Sequence, residues 1–180
     1  MANYLPTAPW QKWVDGCRNG DRHCQRHLFE HFLPMVMGVA LRYTASYEDA
    51  CDVAQETFIK VFEKVGNLRD VESFPAWLRR TAVHTAIDFL RGRRRFEVLS
   101  EGQEGPVHET VFDSHAHIIA KCLATLPDGY RTILNLYDIE GYSHHEIAQM
   151  LNISEGTSRS QLAKARKMMQ RLLKQHGIGG

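Results

Sequence analysis

The chain has 180 residues, with 22 Lys and Arg against 21 Asp and Glu, a formal net charge of +1. Hydrophobic residues make up 43% and charged residues 24%, a balance that fits a folded globular protein and excludes a disordered or fibrous one. The nearly apolar run Leu33 to Leu41 ends at Arg42, too short to cross a bilayer, and the N-terminus lacks the pattern of a secretory signal, so a cytoplasmic protein with no direct membrane insertion is expected. Cys17, Cys24, Cys51 and Cys122 form no CxxC pair and fit reduced thiols.

Taken in chain order, the elements are helices. Pro9 to Asn19 forms a short one closed by Gly20. Asp21 caps a long helix from Arg22 to about Thr44, with Leu28, Phe32, Met35, Val36, Val39 and Tyr43 on one stripe and a kink expected at Pro34. Ser46 and Asp49 resemble a capping box ahead of a helix to about Val65, with Ala50, Val53, Ala54, Thr57, Val61 and Val65 facing inward. Gly66 to Phe74 is a loop, and Pro75 suits the first turn of a helix ending in the Arg run 93–95. Residues 96–112 are acidic, carry Gly102, Gly105 and Pro106, and show no apolar period, as a linker does. Helices resume near Ser114, pause at Pro127, continue from Tyr130 to Asp138, and finish with Ser143 to Leu151 and Ser154 to about Gln175. The expected fold is all-α, with two small helical domains, 1–95 and 113–180, joined by a flexible acidic linker.

The near-zero net charge hides a strong pattern. Residues 75–95 and 155–175 each sum to +5, whereas 46–72 sum to −4 and 96–113 to −5. Two basic stretches on helices point to nucleic acid. The second follows a helix-turn-helix signature: Ser143 and Glu146 form a capping box, Ala148 is small where helices approach, Asn152 suits a left-handed turn and Ser154 caps again. Leu162, Ala165, Met169 and Leu172 line the inner face, leaving Arg159, Ser160, Lys164, Arg166 and Lys167 outside, a helix sized and charged for a major groove. In the first basic stretch, Trp77, Arg80, Thr81, His84, Asp88 and Arg91 share a side away from Leu78, Ala82, Ala86, Phe89 and Leu90; an aromatic among cations suits unpaired bases, although this helix taken alone favours a core position for Trp77.

These residues resemble a known family. Asp52-Val-Ala-Gln-Glu-Thr-Phe-Ile-Lys-Val-Phe62, Ala76-Trp-Leu-Arg-Arg80 and Ala86-Ile-Asp-Phe-Leu-Arg91 resemble domain two of extracytoplasmic-function sigma factors of the sigma-70 family. Leu126-Pro-Asp-Gly-Tyr-Arg131, Glu140-Gly-Tyr-Ser-His-His-Glu-Ile-Ala148 and Ser154-Glu-Gly-Thr-Ser-Arg-Ser-Gln-Leu-Ala-Lys-Ala-Arg166 resemble domain four. The resemblance implies an RNA polymerase sigma factor that binds core RNA polymerase, recognises the −35 element of promoter DNA as duplex and opens the −10 element. It implies −35 contacts by Arg159, Ser160, Ala163, Lys164 and Arg166, and −10 contacts by Asn67, Leu68, Phe74, Trp77, Arg80 and His84. Polymerase docking falls to Gln55, Glu56, Ile59, Lys60 and Phe62, and an anti-sigma factor is a further implied partner. His84, Val83, Ser158, Gln161 and Lys164 depart from the family's usual Asn, Arg, apolar residue, Arg and Arg, which affects promoter preference and not the class.

Two rival readings stand beside this one. A stand-alone helix-turn-helix regulator leaves the Trp77 helix and the acidic, aromatic helix unexplained. His23, His27 and His31 recur every four residues beside Cys24 and could gather a metal, but the same spacing describes a polar helix face. No nucleophile–base constellation, phosphate loop or HExxH occurs, so neither an enzyme nor a cofactor site is expected.

Overall fold

The computed structural model describes residues 9–44, 46–97 and 115–178, with side chains of 93–97 and 115–117 left undescribed. All of the regular structure among the described residues is helical: α1 (Pro9–Arg18), α2 (Arg22–Tyr43), α3 (Tyr47–Lys64), a 3-10 turn (Val65–Asn67), α4 (Phe74–Glu97), α5 (His115–Ala124), α6 (Asp128–Leu134), a π-helical turn (Asn135–Ile139), α7 (His144–Leu151) and α8 (Glu155–Gln175). The fold is therefore all-α. Helix α2 runs on through Pro34. Helix α4 continues to Glu97, two residues past the Arg run, and the rest of the expected linker, from residue 98, lies outside the described residues.

Among the described residues, backbone contacts gather the chain into two compact units, one within Met1–Ala40 and Cys51–Thr85, the other within Leu41–Ala50 and Ala86–Gly180. Most of the apolar stripes read from the sequence are buried in the first unit: Leu28, Phe32, Val36 and Val39 of α2, Val53, Ala54, Val61 and Val65 around α3, and Leu78 and Ala82 of α4; Met35, and Phe89 and Leu90 further along α4, are only half-buried. Thr57 lies among them and satisfies its hydroxyl on the Val53 carbonyl at 2.7 Å. Trp10 joins this core: its ring stacks on Phe74 (centroids 6.2 Å apart) and meets Phe32 edge-on at 6.0 Å, with Phe32 and Phe74 5.3 Å apart. Such pairs add to the burial of their large apolar area.

The α1–α2 corner depends on a missing side chain. A Cβ on Gly16 would lie 2.2 Å from the Cys24 Sγ, so α1 and α2 approach this closely only over glycine. Gly20 turns the corner with φ of 75°, and Asp21 caps α2 by accepting from the His23 amide at 2.8 Å and the Cys24 amide at 3.3 Å. Those two amides hold the Asp21 carboxyl below the usual range. Burial, reinforced by Cys24 and Asp21, pushes the Cys17 thiol up to about 12; burial and donation to the Asp21 carboxylate (3.4 Å) raise Cys24.

The second unit buries Cys122, Leu123, Leu126, Ile133, Leu136, Ile147, Leu162, Ala165 and Met169. Polar groups are buried among them. Arg131 is 2% exposed and turns back on the end of α5, donating to the carbonyls of Ala124 (3.0 Å) and Leu126 (3.5 Å) and pairing with Asp128. A helix C-terminus leaves carbonyls without intrahelical partners, and here an internal guanidinium takes the role a glycine cap or water would have. After α6 the chain widens into the π turn, where the Glu140 amide donates to the Asn135 carbonyl at 2.9 Å, and Gly141 (φ 78°) leads to α7.

Candidate nucleic-acid interface

The helix-turn-helix is built as the sequence indicates. The Ser143 hydroxyl accepts from the Glu146 amide, and the Glu146 carboxylate accepts from the Ser143 amide at 2.8 Å, a complete capping box. Asn152 closes α7 in the left-handed region (φ 53°, ψ 51°), and Ser154 accepts from the Thr157 amide at 3.0 Å to start α8. With Leu162, Ala165 and Met169 turned inward, Arg159, Ser160, Ala163, Lys164, Arg166 and Lys167 lie exposed along α8. Arg159 pairs with Glu155 at 3.2 Å. Arg166 makes a two-pronged contact with Asp138 from the π turn and lies over the Tyr137 ring, 5.4 Å from its centroid. The Asp138 contact raises the Arg166 pKa and commits its guanidinium beside the helix.

Ser158, where the family usually has an apolar residue, is wholly buried and bonds its hydroxyl to His144 Nδ1 at 2.9 Å. His144 in turn stacks on Tyr137 at 4.5 Å. A polar seam thus joins α7, α8 and the π turn under the exposed basic face.

In the first unit, Asn67, Arg80 and His84 are exposed, while Leu68 and Trp77 are half-buried. Phe74 departs from its expected DNA contact: it is 0% exposed, packed between Trp10 and Phe32 and 5.9 Å from Trp77. Its place is beneath the surface, where it supports Trp77. The loop after the 3-10 turn is tied to α1, because Arg18, itself paired with Asp15 at 2.8 Å, donates to the Leu68 carbonyl. That tie spans fifty positions and has no local sequence signal.

On α3, Gln55, Glu56 and Ile59 are exposed, with Lys60 and Phe62 half-buried on the same outward side. Phe58, on the same helix, belongs to the core at 3% exposure, and it bridges Phe62 (5.9 Å) and the surface residue Phe29 (4.7 Å). Phe29, exposed on α2, meets Phe58, and nothing in the spacing of α2 points to it. His27 stacks on Trp13 at 5.3 Å and His31 meets it edge-on at 5.6 Å; among the described residues no three ligating side chains converge as a metal site would need. Nor is any helix among them long and apolar enough to cross a membrane.

Comparison with known proteins finds two family matches along the chain. The family model for sigma-70 region 2 matches residues 28–96, and that for sigma-70 region 4 matches 116–169. The ECF RNA polymerase sigma-E factor of Haemophilus influenzae is 30% identical, the match covering 89% of this chain and 93% of that protein. The RNA polymerase sigma-H factor of Pseudomonas aeruginosa is also 30% identical, over 91% and 93%. Among solved structures, the sigma factor RpoE from Bartonella quintana, in complex with the anti-sigma factor NepR, has the same fold, with a TM-score of 0.58 and 24% identity over 83% of this chain and 96% of that one. The chain therefore belongs to the extracytoplasmic-function sigma factors of the sigma-70 family, which give RNA polymerase its choice of promoter.

Proposed function

We propose that this sigma factor divides promoter recognition between two domains, 1–95 and 113–180, with 96–112 as the linker. The observation that carries the division is the outward face of α8: a twice-capped helix-turn-helix presents Arg159, Ser160, Ala163, Lys164 and Arg166 from a helix whose inner side is fully committed to its own core. Such a helix enters the major groove of a −35 duplex with its N-terminal residues toward the bases. Arg159 reads a base edge. Lys164 supplies a point charge, and Arg166, clamped by Asp138, meets the backbone.

The α4 face does different work. Trp77 offers a ring at the surface, flanked by Arg80, His84, Asn67 and Leu68, an arrangement that stacks an unpaired base and holds its phosphates. Capturing a flipped base offsets the cost of unpairing the −10 element. The α3 face, with Ile59, Phe62, Gln55, Glu56 and Lys60, docks core RNA polymerase through an apolar centre and polar rim. The protein acts in the cytoplasm, performs no catalysis itself, and is held silent by an anti-sigma factor, the kind of partner bound to RpoE in its solved complex.

Run-off transcription with core polymerase on a genomic promoter library tests the whole. Promoter-specific transcripts that need both proteins are expected. Tight, specific binding of the free protein to promoter DNA at physiological salt, with no dependence on polymerase, would instead favour a stand-alone regulator.

A further inference from the structure

Helix α8 contains a single acid in its basic stretch, Glu155, at the end that would face the bases. A carboxylate beside phosphates opposes DNA binding, so its position calls for a reason. A helix N-terminus favours an acid, but that alone asks nothing of its neighbours. Here the two carboxylate oxygens are divided between two helices. Oε1 accepts from His145 Nδ1 of α7 at 3.1 Å, and Oε2 takes Arg159 Nη2 at 3.2 Å. Gln149 Nε2 lies 3.0 Å from His145 Nε2, so the imidazole is gripped at both nitrogens: Nδ1 donates to Glu155 and Nε2 accepts from Gln149. The His145 hydrogen bond, followed by the charge of Arg159, keeps the Glu155 pKa below the usual carboxylate range, and the group stays ionised at neutral pH.

From this geometry we infer that Glu155 is a positioning residue for base reading: anchored by His145, it holds the Arg159 guanidinium in place and so sets discrimination at the base pair Arg159 meets. The inference rests on the reading of α8 as the −35 helix. An exposed ion pair contributes little to folding. Its value lies in ordering. Arg159 has a long side chain whose freedom must be given up on binding, and a guanidinium held in one orientation before contact loses less. Nη2 is spent on Glu155, which turns the remaining fork toward the groove; two-pronged pairing with guanine depends on that orientation. A loosely held arginine would still attract phosphates but would choose less sharply among bases.

The test uses the full-length protein with core polymerase on a −35 duplex selected from a randomised pool, and on its single-base variants. Arg159→Ala first identifies the base pair that Arg159 reads. Glu155→Ala is expected to lower discrimination at that same pair by about five- to tenfold, part of what a bidentate contact supplies. It should also strengthen binding to a scrambled duplex, because an acid has left the anionic interface. Glu155→Asp keeps the charge at the helix end but is one methylene too short to span both partners, and should lose discrimination as the alanine variant does. His145→Ala should give a smaller loss at the same pair. The inference is overturned if affinity changes in parallel for every duplex, if the preference moves at a different base pair (Glu155 then reads a base itself), or if Glu155→Asp behaves as the parent. Arg159→Ala without loss at any pair would overturn the inference together with the reading of α8 beneath it, whereas loss with Arg159→Ala but none with Glu155→Ala removes the inference alone.

Discussion

The two basic stretches, 75–95 and 155–175, carry the same local charge, yet they are supported in opposite ways. The α4 face rests on an apolar aromatic cluster, Trp10, Phe32 and Phe74, from which Trp77 reaches the surface. The α8 face rests on directed polar contacts: Glu155 on Arg159, Asp138 on Arg166, His144 on Ser158. Directed contacts fix where a cation sits, which suits the fixed edges of duplex DNA. An aromatic shelf gives a base a place to stack without fixing its identity so narrowly, which suits strands that have left the helix. On the function proposed above, equal charge serves two different tasks because the layer beneath differs.

The comparison breaks most severely through the aromatic layer. Phe74→Ala should cost about 3–5 kcal/mol of stability in urea unfolding, and a premelted −10 template should not restore its transcription. If the variant proves as stable as the parent, the cluster is not the support of the α4 face. Arg131→Ala should cost about 3 kcal/mol, because it strips the partner from carbonyls buried at the end of α5 and from Asp128. Its −35 binding should fall with its stability, and equally on all −35 sequences.

Substitutions on the faces themselves sharpen the contrast. Arg159→Ala should cost about 1–3 kcal/mol of discrimination at one −35 base pair, visible in closed-complex binding. Trp77→Ala should leave that binding nearly intact and reduce permanganate-reactive thymines at −10, with recovery on the premelted template; failure to recover would make Trp77 a core residue only. Gly16→Ala should cost about 1–3 kcal/mol by forcing a Cβ against Cys24, without altering promoter preference. The smallest effect is on the acid limb of stability. The Asp21 carboxyl is depressed below its ordinary value of 3.8, so its contribution is present above that pH and lost as pH falls through the lower, folded value. Asp21→Asn should flatten the limb there, and an unchanged acid titration would remove the role of the α2 cap.

Much of the fold was legible because it is local. The inward set of α3, the Ser143–Glu146 box and the left-handed Asn152 each follow from spacing or from one residue's backbone preference. The site was legible where side chains simply face outward, as along α8. What escaped is what distant segments do to one another. Phe74 looks like a loop-end surface aromatic until Trp10, sixty-four positions earlier, covers it. Arg131 carries a charge that sequence reasoning places in water, and only the α5 carbonyls explain its burial. Nothing near Leu68 announces Arg18, and the π turn that brings Asp138 to Arg166 has no composition of its own.

The thiol environments at the α1–α2 corner also have a practical consequence. Thiolates are the species that alkylating dyes attack. Cys17 is buried with its pKa pushed up to about 12, Cys24 donates to the Asp21 carboxylate and is raised as well, and Cys122 is buried with its pKa raised. Cys51 is exposed on α3, near the start of the helix that carries Gln55 and Ile59. A maleimide fluorophore added at limiting concentration to the native chain should therefore mark α3 selectively, without any cysteine being engineered. It would place an optical reporter a turn from the surface assigned to polymerase, and docking could be timed directly in the unaltered sequence.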